Sequence, residues 1–441
     1  MSLTSFTYLF FIFGVALLIR YVPRAFHWGI LLLSSYYFYY TWNPVLLPVL
    51  GAVTLLSFSI PLIQKKTGNK NVLPWVVVLL VPLVYLKWQL WGNTSSPELV
   101  YLIGVSFYTF AAISYVVDCN RGLLKPTTHL GQYASFLSFF PNLLAGPIEK
   151  FKFLSPQLAS LKPLQKHYIE EAILLIMWGW IKKTVVASRI TLYTDVAFDS
   201  PEISSPMYIL GGILLFPAQL YADYTGYFDI AKGSALLLGV RLTNNFDNQI
   251  FYLTRRDAWL RWNKTMHAWF RDYFYFPLAK KLKGAKFDQF NKLLTSCLSG
   301  VWHGASIGFL SWGFLQWFFG ELKVPALFQR YQVLAYTFTY LTGAFATFWF
   351  RVSPSNIDVI FSKLSTLSAY NWSIGFDSWP FVKCVLLIIL LEVVNRQIKD
   401  SLYGYYQQSS PLKQFGILTL FCVLLLSFSL SNDQLFYYFR F

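Results

Sequence analysis

Leu293-Leu294-Thr295-Ser296-Cys297-Leu298-Ser299-Gly300-Val301-Trp302-His303-Gly304-Ala305-Ser306-Ile307-Gly308-Phe309-Leu310 carries one basic side chain, His303, framed by Gly300 and Gly304. Leu293, Leu294, Leu298, Val301, Ile307, Phe309 and Leu310 make the surroundings apolar on both sides. The run sits in a longer apolar stretch, 291–319, with room for one tilted span or two short helices. A histidine in such a place needs a hydrogen-bond partner or a task, because ionisable groups at membrane depth are costly. The flanking glycines leave space for a backbone or a ligand to come close.

The rest of the chain has the same character. Its 441 residues are 56% hydrophobic, 20% aromatic and 13% charged, where an ordinary soluble chain carries about 25% charged residues. Apolar runs of the length that spans a bilayer recur near 3–19, 27–41, 44–62, 72–90, 99–117, 169–190, 206–222, 226–240, 331–350, 379–395 and 413–430. The expected fold is an all-α polytopic membrane protein, one integral-membrane domain over 1–441. N-terminal helices fill 1–130, a catalytic core 131–320, and C-terminal helices 321–441. No small-residue cleavage site follows the first run, so Leu3 to Leu18 reads as a retained helix.

Charge gives the orientation. The net charge is +16, and the reading is lysine and arginine gathered in cytoplasmic loops, not a nucleic-acid partner. Arg20 and Arg24, then Lys65, Lys66 and Lys70, then Arg121 and Lys125 follow alternate spans. The loops around Asn43 and from Gly92 to Glu98 carry none. The N-terminus is therefore expected outside and the basic loops in the cytoplasm. Cys119, Cys297, Cys384 and Cys422 lie far apart without metal-ligand spacing and read as small apolar residues, so no metal is expected.

Four stretches interrupt the apolar pattern. Tyr133 to Lys150 is apolar but broken by Pro141, Gly146 and Pro147, which reads as a re-entrant element or a kinked helix. Lys182 and Lys183 fall within a span, so that helix is partly interfacial or faces a polar interior. Tyr221 to Asp229 sets two carboxylates and three tyrosines between apolar segments, as a solvated loop would. Between Arg255 and Lys292, ten lysines or arginines stand against Asp257, Asp272 and Asp288, which places this segment on the cytoplasmic side. There Trp259, Trp262, Met266, Trp269, Phe270 and Tyr273 fall at three- and four-residue spacing, the pattern of an amphipathic interfacial helix. On that helix Asn263 and His267 share a face, either at a tunnel mouth or on the wet side.

His27, His129 and His167 sit at a span end or in basic loops, where solvated roles suffice. No nucleophile elbow, P-loop, zinc-protease helix or dinucleotide fingerprint occurs. One buried base without a protein nucleophile fits direct transfer, in which His303 deprotonates an acceptor hydroxyl that attacks an activated acyl group.

Here the sequence resembles the membrane-bound O-acyltransferase (MBOAT) superfamily, in the bacterial branch of AlgI and DltB. The motifs run in the family's order: Gly104-Val105-Ser106-Phe107-Tyr108-Thr109-Phe110; Phe139-Phe140-Pro141 with Ala145-Gly146-Pro147-Ile148; and Tyr221-Ala222-Asp223-Tyr224-Thr225-Gly226-Tyr227-Phe228-Asp229. Asn245-Phe246-Asp247-Asn248, Trp269-Phe270-Arg271-Asp272-Tyr273, Gly300-Val301-Trp302-His303-Gly304-Ala305 and the terminal Phe439-Arg440-Phe441 follow. The resemblance implies a ring of about eleven helices plus re-entrant or interfacial pieces around a central tunnel. It makes His303 catalytic. One departure stands out: the branch usually has Arg-Trp-His where this chain has Arg261-Trp262-Asn263. Trp262-Asn263 with His267 and Trp269 is similar to the lipid-acylating branch, where an asparagine accompanies the histidine, which makes Asn263 the second catalytic residue. His267, Trp302, Asp223, Tyr224, Asp272 and Arg271 are candidates to contact substrate or line the tunnel.

The implied function is transfer of an acyl group, foremost acetyl, from a cytoplasmic thioester across the membrane. The donor is acetyl-CoA, another coenzyme A ester or an acyl carrier protein, with no bound cofactor. The acceptor is a hydroxyl of a cell-surface polysaccharide or a periplasmic relay partner of the SGNH type. The protein would sit among lipid as a multi-pass protein of the bacterial inner membrane. D-alanyl transfer to teichoic acid is the alternative within the class, and a lipid or polysaccharide transporter or flippase the alternative outside it.

Overall fold

The computed structural model of the chain describes residues 1–92, 104–162, 165–247, 250–304, 306–323, 325, 328, 330–367 and 379–429. The terminal Phe439-Arg440-Phe441 and the loop expected outside, from Asn93 to Glu98, lie outside the described residues, as do Asn248 and Ala305. The described elements are all helical. α1 (Phe6–Tyr21), α2 (His27–Trp42), α3 (Leu47–Thr67), α4 (Leu73–Gly92) and α5 (Val105–Asn120) follow the first five expected spans closely. Pro44–Thr67, Gln332–Arg351 and Pro411–Phe428 are long and apolar enough to cross a membrane on their own, and Phe6–Tyr21 and Leu73–Gln89 are shorter apolar helices.

The broken stretch after them folds as α6 (Leu130–Leu137) and α7 (Phe140–Leu143), followed by α8 (Phe151–Ala159). Phe139, Phe140 and Leu144 are wholly buried there, so irregular backbone is packed within protein rather than turned to lipid. α9 (Lys166–Trp180) runs through a π-helical turn, Ile181–Ala187, into α10 (Ser188–Asp199).

α11 (Pro206–Leu237) corrects the sequence reading. The two spans 206–222 and 226–240 are a single helix of 32 residues, about 48 Å long at 1.5 Å per residue. Tyr221 to Asp229 is not a solvated loop but its buried middle. The reason is pairing across the core: Lys182 Nζ donates to Asp229 Oδ2 at 2.7 Å, and Lys183 donates to Asp223. The lysines thus face a polar interior, one of the two expected options. Small residues let the backbones close on each other, because a Cβ on Gly179 would meet the Gly226 carbonyl oxygen at 2.5 Å.

The basic aromatic segment is not one amphipathic helix either. It is α12 (Arg255–Arg261), α13 (Lys264–Phe270), a π-helical turn at Arg271–Tyr275 and α14 (Phe276–Lys281). The break is at Asn263, whose φ of 41° is the left-handed conformation; asparagine tolerates it better than most residues. Asn263 therefore stands before α13, off the helix face of His267. The stretch 291–319 forms two helices, α15 (Ala285–His303) and α16 (Ile307–Glu321), which turn back on each other after Gly304. The remaining helices are α17 (Gln332–Arg351), α18 (Ile357–Ser365), α19 (Trp379–Val393), α20 (Lys399–Gln408) and α21 (Pro411–Phe428).

Candidate active site

His303 is the last residue of α15 and is 6% exposed. Its ring lies 5.2 Å from Trp312 and 5.0 Å from Phe350, both edge-on, and 4.5 Å from Trp302. The backbone around it is fixed from two sides. A Cβ on Gly300 would meet the Phe309 carbonyl oxygen at 2.2 Å, so α15 and α16 touch through that glycine. Lys87 Nζ, from α4, donates to the His303 carbonyl at 3.2 Å. A cation there answers the negative end of α15 and satisfies a carbonyl the helix leaves open.

His303 opens on a cavity of about 110 Å³. α11 contributes Pro217, Leu220, Tyr221 and Tyr224; α12 contributes Arg255, Ala258 and Trp259. Trp312 and Gln316 of α16, Thr339, Tyr340, Gly343, Thr347 and Phe350 of α17, and Ile250, Tyr252 and Trp262 complete it. Among these lining residues Arg255 is the one cation, and there is no carboxylate. The Trp312 indole Nε1 is buried with no hydrogen-bond partner among the described residues. No group of three metal-ligating side chains occurs among the described residues.

Of the sequence candidates, His303 and Tyr224 line this cavity. Asn263 does not: it is 3% exposed, and its Oδ1 accepts from Asn245 Nδ2 at 2.8 Å while its Nδ2 turns to the Met266 sulfur. His267 lies behind the wall, its ring 4.1 Å from Trp259, which in turn lies 5.6 Å from Trp312. Trp302 packs away from the cavity, 5.6 Å from Phe110 and 6.0 Å from Phe107. Asp223 belongs to the ion pair with Lys183. Arg271 and Asp272 belong to a separate cluster, where Arg271 Nε at 2.8 Å and Lys150 Nζ at 2.7 Å both donate to Asp272. Burial opposes ionisation of Asp272, yet those two cations prevail and hold its carboxyl below the ordinary range.

The sequence reading passed over Lys87, Arg255, Trp312 and Gln316. Lys87 left a usable signal, a lysine inside the apolar span 72–90. Arg255 was hidden among many basic neighbours, and Trp312 among many aromatic ones.

The comparisons agree with this architecture. The membrane-bound O-acyltransferase family model matches residues 30–353. A protein of Pseudomonas fluorescens named probable alginate O-acetylase AlgI is 33% identical over 293 residues, which is 64% of this chain and 58% of that protein. One of the same name from Azotobacter vinelandii is 30% identical over 405 residues, covering 85% of this chain and 80% of the relative. A peptidoglycan O-acetyltransferase of Helicobacter pylori is 25% identical over 452 residues, covering 92% of this chain and 83% of the relative. The aligned stretch thus spans just over half of the Pseudomonas protein. A matched region of this extent, with the buried histidine inside it, means that the chain belongs to the membrane-bound O-acyltransferase family.

Proposed function

We propose that the protein transfers a short acyl group, acetyl, from a cytoplasmic thioester to a hydroxyl of a cell-surface polysaccharide or of a relay partner beyond the membrane. The observation that carries this reading is His303, buried in an aromatic cavity of about 110 Å³. On that measure one water needs about 10–15 Å³, so the cavity has room for an acetyl group together with several waters. The names of the relatives, alginate O-acetylase and peptidoglycan O-acetyltransferase, support an acetyl group and a polysaccharide.

In this mechanism the His303 imidazole takes the proton of the acceptor hydroxyl as its oxygen attacks the thioester carbonyl. The carbon–oxygen bond forms, and the electron pair moves onto the carbonyl oxygen. The carbon–sulfur bond then breaks, and the proton held by His303 passes to the leaving thiolate. Trp312, a residue of the same lining, supplies the donor for the oxyanion, since its buried Nε1–H has no hydrogen-bond partner among the described residues and becomes available to a bound substrate once the indole turns toward it. The Lys87 hold on the His303 carbonyl keeps the end of α15 in place. D-alanyl transfer fits less well. Its acyl group bears an ammonium, and the cavity already holds the Arg255 guanidinium with no carboxylate beside it.

The test is acyl transfer by His303→Ala in lipid vesicles, with thermal stability in detergent measured alongside. Transfer falls by about 10²–10⁴-fold, the weight of a general base, while the melting temperature stays near that of the wild type. Full activity in this variant overturns the reading.

A further inference from the structure

Arg255, half-buried in the cavity wall, differs from the core cations that hold carboxylates. Lys182 and Lys183 hold Asp229 and Asp223, and Arg351 holds Asp195 and Asp199. Arg255 makes no ion pair with any described carboxylate. Its Nη2 donates to the neutral amide oxygen of Gln316. A guanidinium has five N–H donors in a rigid fork, so one amide oxygen leaves most of that capacity unused. Space for the group is built into α17, where a Cβ on Gly343 would lie 2.6 Å from Arg255 Nη1. Arg255 also shares the lining with His303.

A positive charge without a counter-charge in an apolar, half-closed cavity is costly to keep. A bound anion would offset that cost, and a carboxylate or a phosphate matches the fork in two parallel hydrogen bonds. We propose that Arg255 recognises an anionic group, a carboxylate or a phosphate, carried by one of the two substrates that meet at His303. The inference rests on the acyl-transfer reading above. Gln316 orients the guanidinium, and Gly343 leaves the room it occupies. The anion comes either from the donor, as a phosphate on its thioester arm, or from the acceptor, as the carboxylate of an acidic sugar.

The experiment measures turnover of an acetyl thioester in lipid vesicles with wild type, Arg255→Gln and Arg255→Lys. Acetyl-CoA is compared with S-acetylpantetheine, which lacks phosphate, and a glucuronate oligosaccharide with its glucose counterpart. In Arg255→Gln the KM for the charged member of one pair rises about 10–100-fold, the scale of a lost charge-assisted hydrogen bond. The KM for its neutral counterpart stays unchanged, and Arg255→Lys falls between. A rise confined to acetyl-CoA assigns the anion to the donor; a rise confined to the glucuronate sugar assigns it to the acceptor. If Arg255→Gln does not fold, Arg255→Lys carries the comparison, with its KM rising for the charged member of one pair alone. Equal wild-type KM values within both pairs, or a wild-type preference that Arg255→Gln leaves unchanged, overturn the inference, whereas full turnover by His303→Ala overturns the acyl-transfer reading instead.

Discussion

Asn263 carries more structure than its side chain's size suggests. Its left-handed backbone ends α12 and turns the chain so that Trp259 and Trp262 face the cavity while Met266, Trp269 and Phe270 are buried elsewhere. Asn245 locks this turn, accepting from the Thr265 N–H at 2.7 Å and the Lys264 N–H at 3.0 Å while donating to Asn263. Asn263→Ala strains the left-handed position and leaves the Asn245 amide without its acceptor, for a combined loss of about 2–4 kcal/mol. Asn263→Gly keeps the backbone free and recovers about 1–2 kcal/mol of that. Thermal unfolding in detergent compares the two, and equal losses would disprove the backbone part of the argument. At Trp312 the effect belongs to chemistry. Trp312→Phe keeps the ring packing but removes the N–H, so turnover drops about 10²–10³-fold if it serves the oxyanion, with stability little changed. Undiminished turnover would return that role to another donor.

Helix pairing accounts for what the hydropathy pattern divided wrongly. The carboxylates Asp223 and Asp229 lowered the apolarity of α11 at its middle and imitated a loop, because a single-segment reading cannot see the lysines that match them from the π-helical turn at Ile181–Ala187. The same turn bulges the helix and presents Lys182 and Lys183 together. Lys183→Met leaves Asp223 buried without its cation and costs about 3–5 kcal/mol. Joining it with Asp223→Leu removes both charges and recovers most of that loss, because a buried pair replaced by apolar side chains is often neutral. Detergent melting curves of the single and double variants decide it. A double variant no better than the single one would mean that the pair is doing more than neutralising itself.

Across the molecule, the orientation expected from the charge pattern is open to a direct check. Single cysteines at Asn43, Lys66 and Lys283, in a background with the exposed Cys422 replaced by serine, are exposed to an impermeant thiol reagent in intact cells. The positive-inside rule expects labelling at Asn43 and protection at Lys66 and Lys283. Labelling at Lys66 and Lys283 overturns the assignment, and protection at Asn43 along with it reverses it. The helical class and the first five helices were legible because each rests on local apolar runs, whereas for 291–319 the sequence left one tilted span and two short helices both open. His303 was legible as one basic group in an apolar run. The cavity was not, since Arg255, Trp312 and Tyr224 meet only after three distant segments fold together. The aromatic stripe misled because one asparagine in a rare backbone conformation outweighs regular spacing.

The buried lysines also set an order of events during synthesis. Lys182 leaves the ribosome 47 residues before its partner Asp229, and Lys183 leaves 40 residues before Asp223. At about 5–20 residues per second, that gap lasts about 2–9 s. Each unmatched lysine opposes entry of its helix into lipid by about 2.5–3.5 kcal/mol at mid-membrane. The continuous α9–α10 helix is therefore expected to stay at the insertion machinery until α11 arrives with both aspartates, so that the paired charges enter the bilayer together.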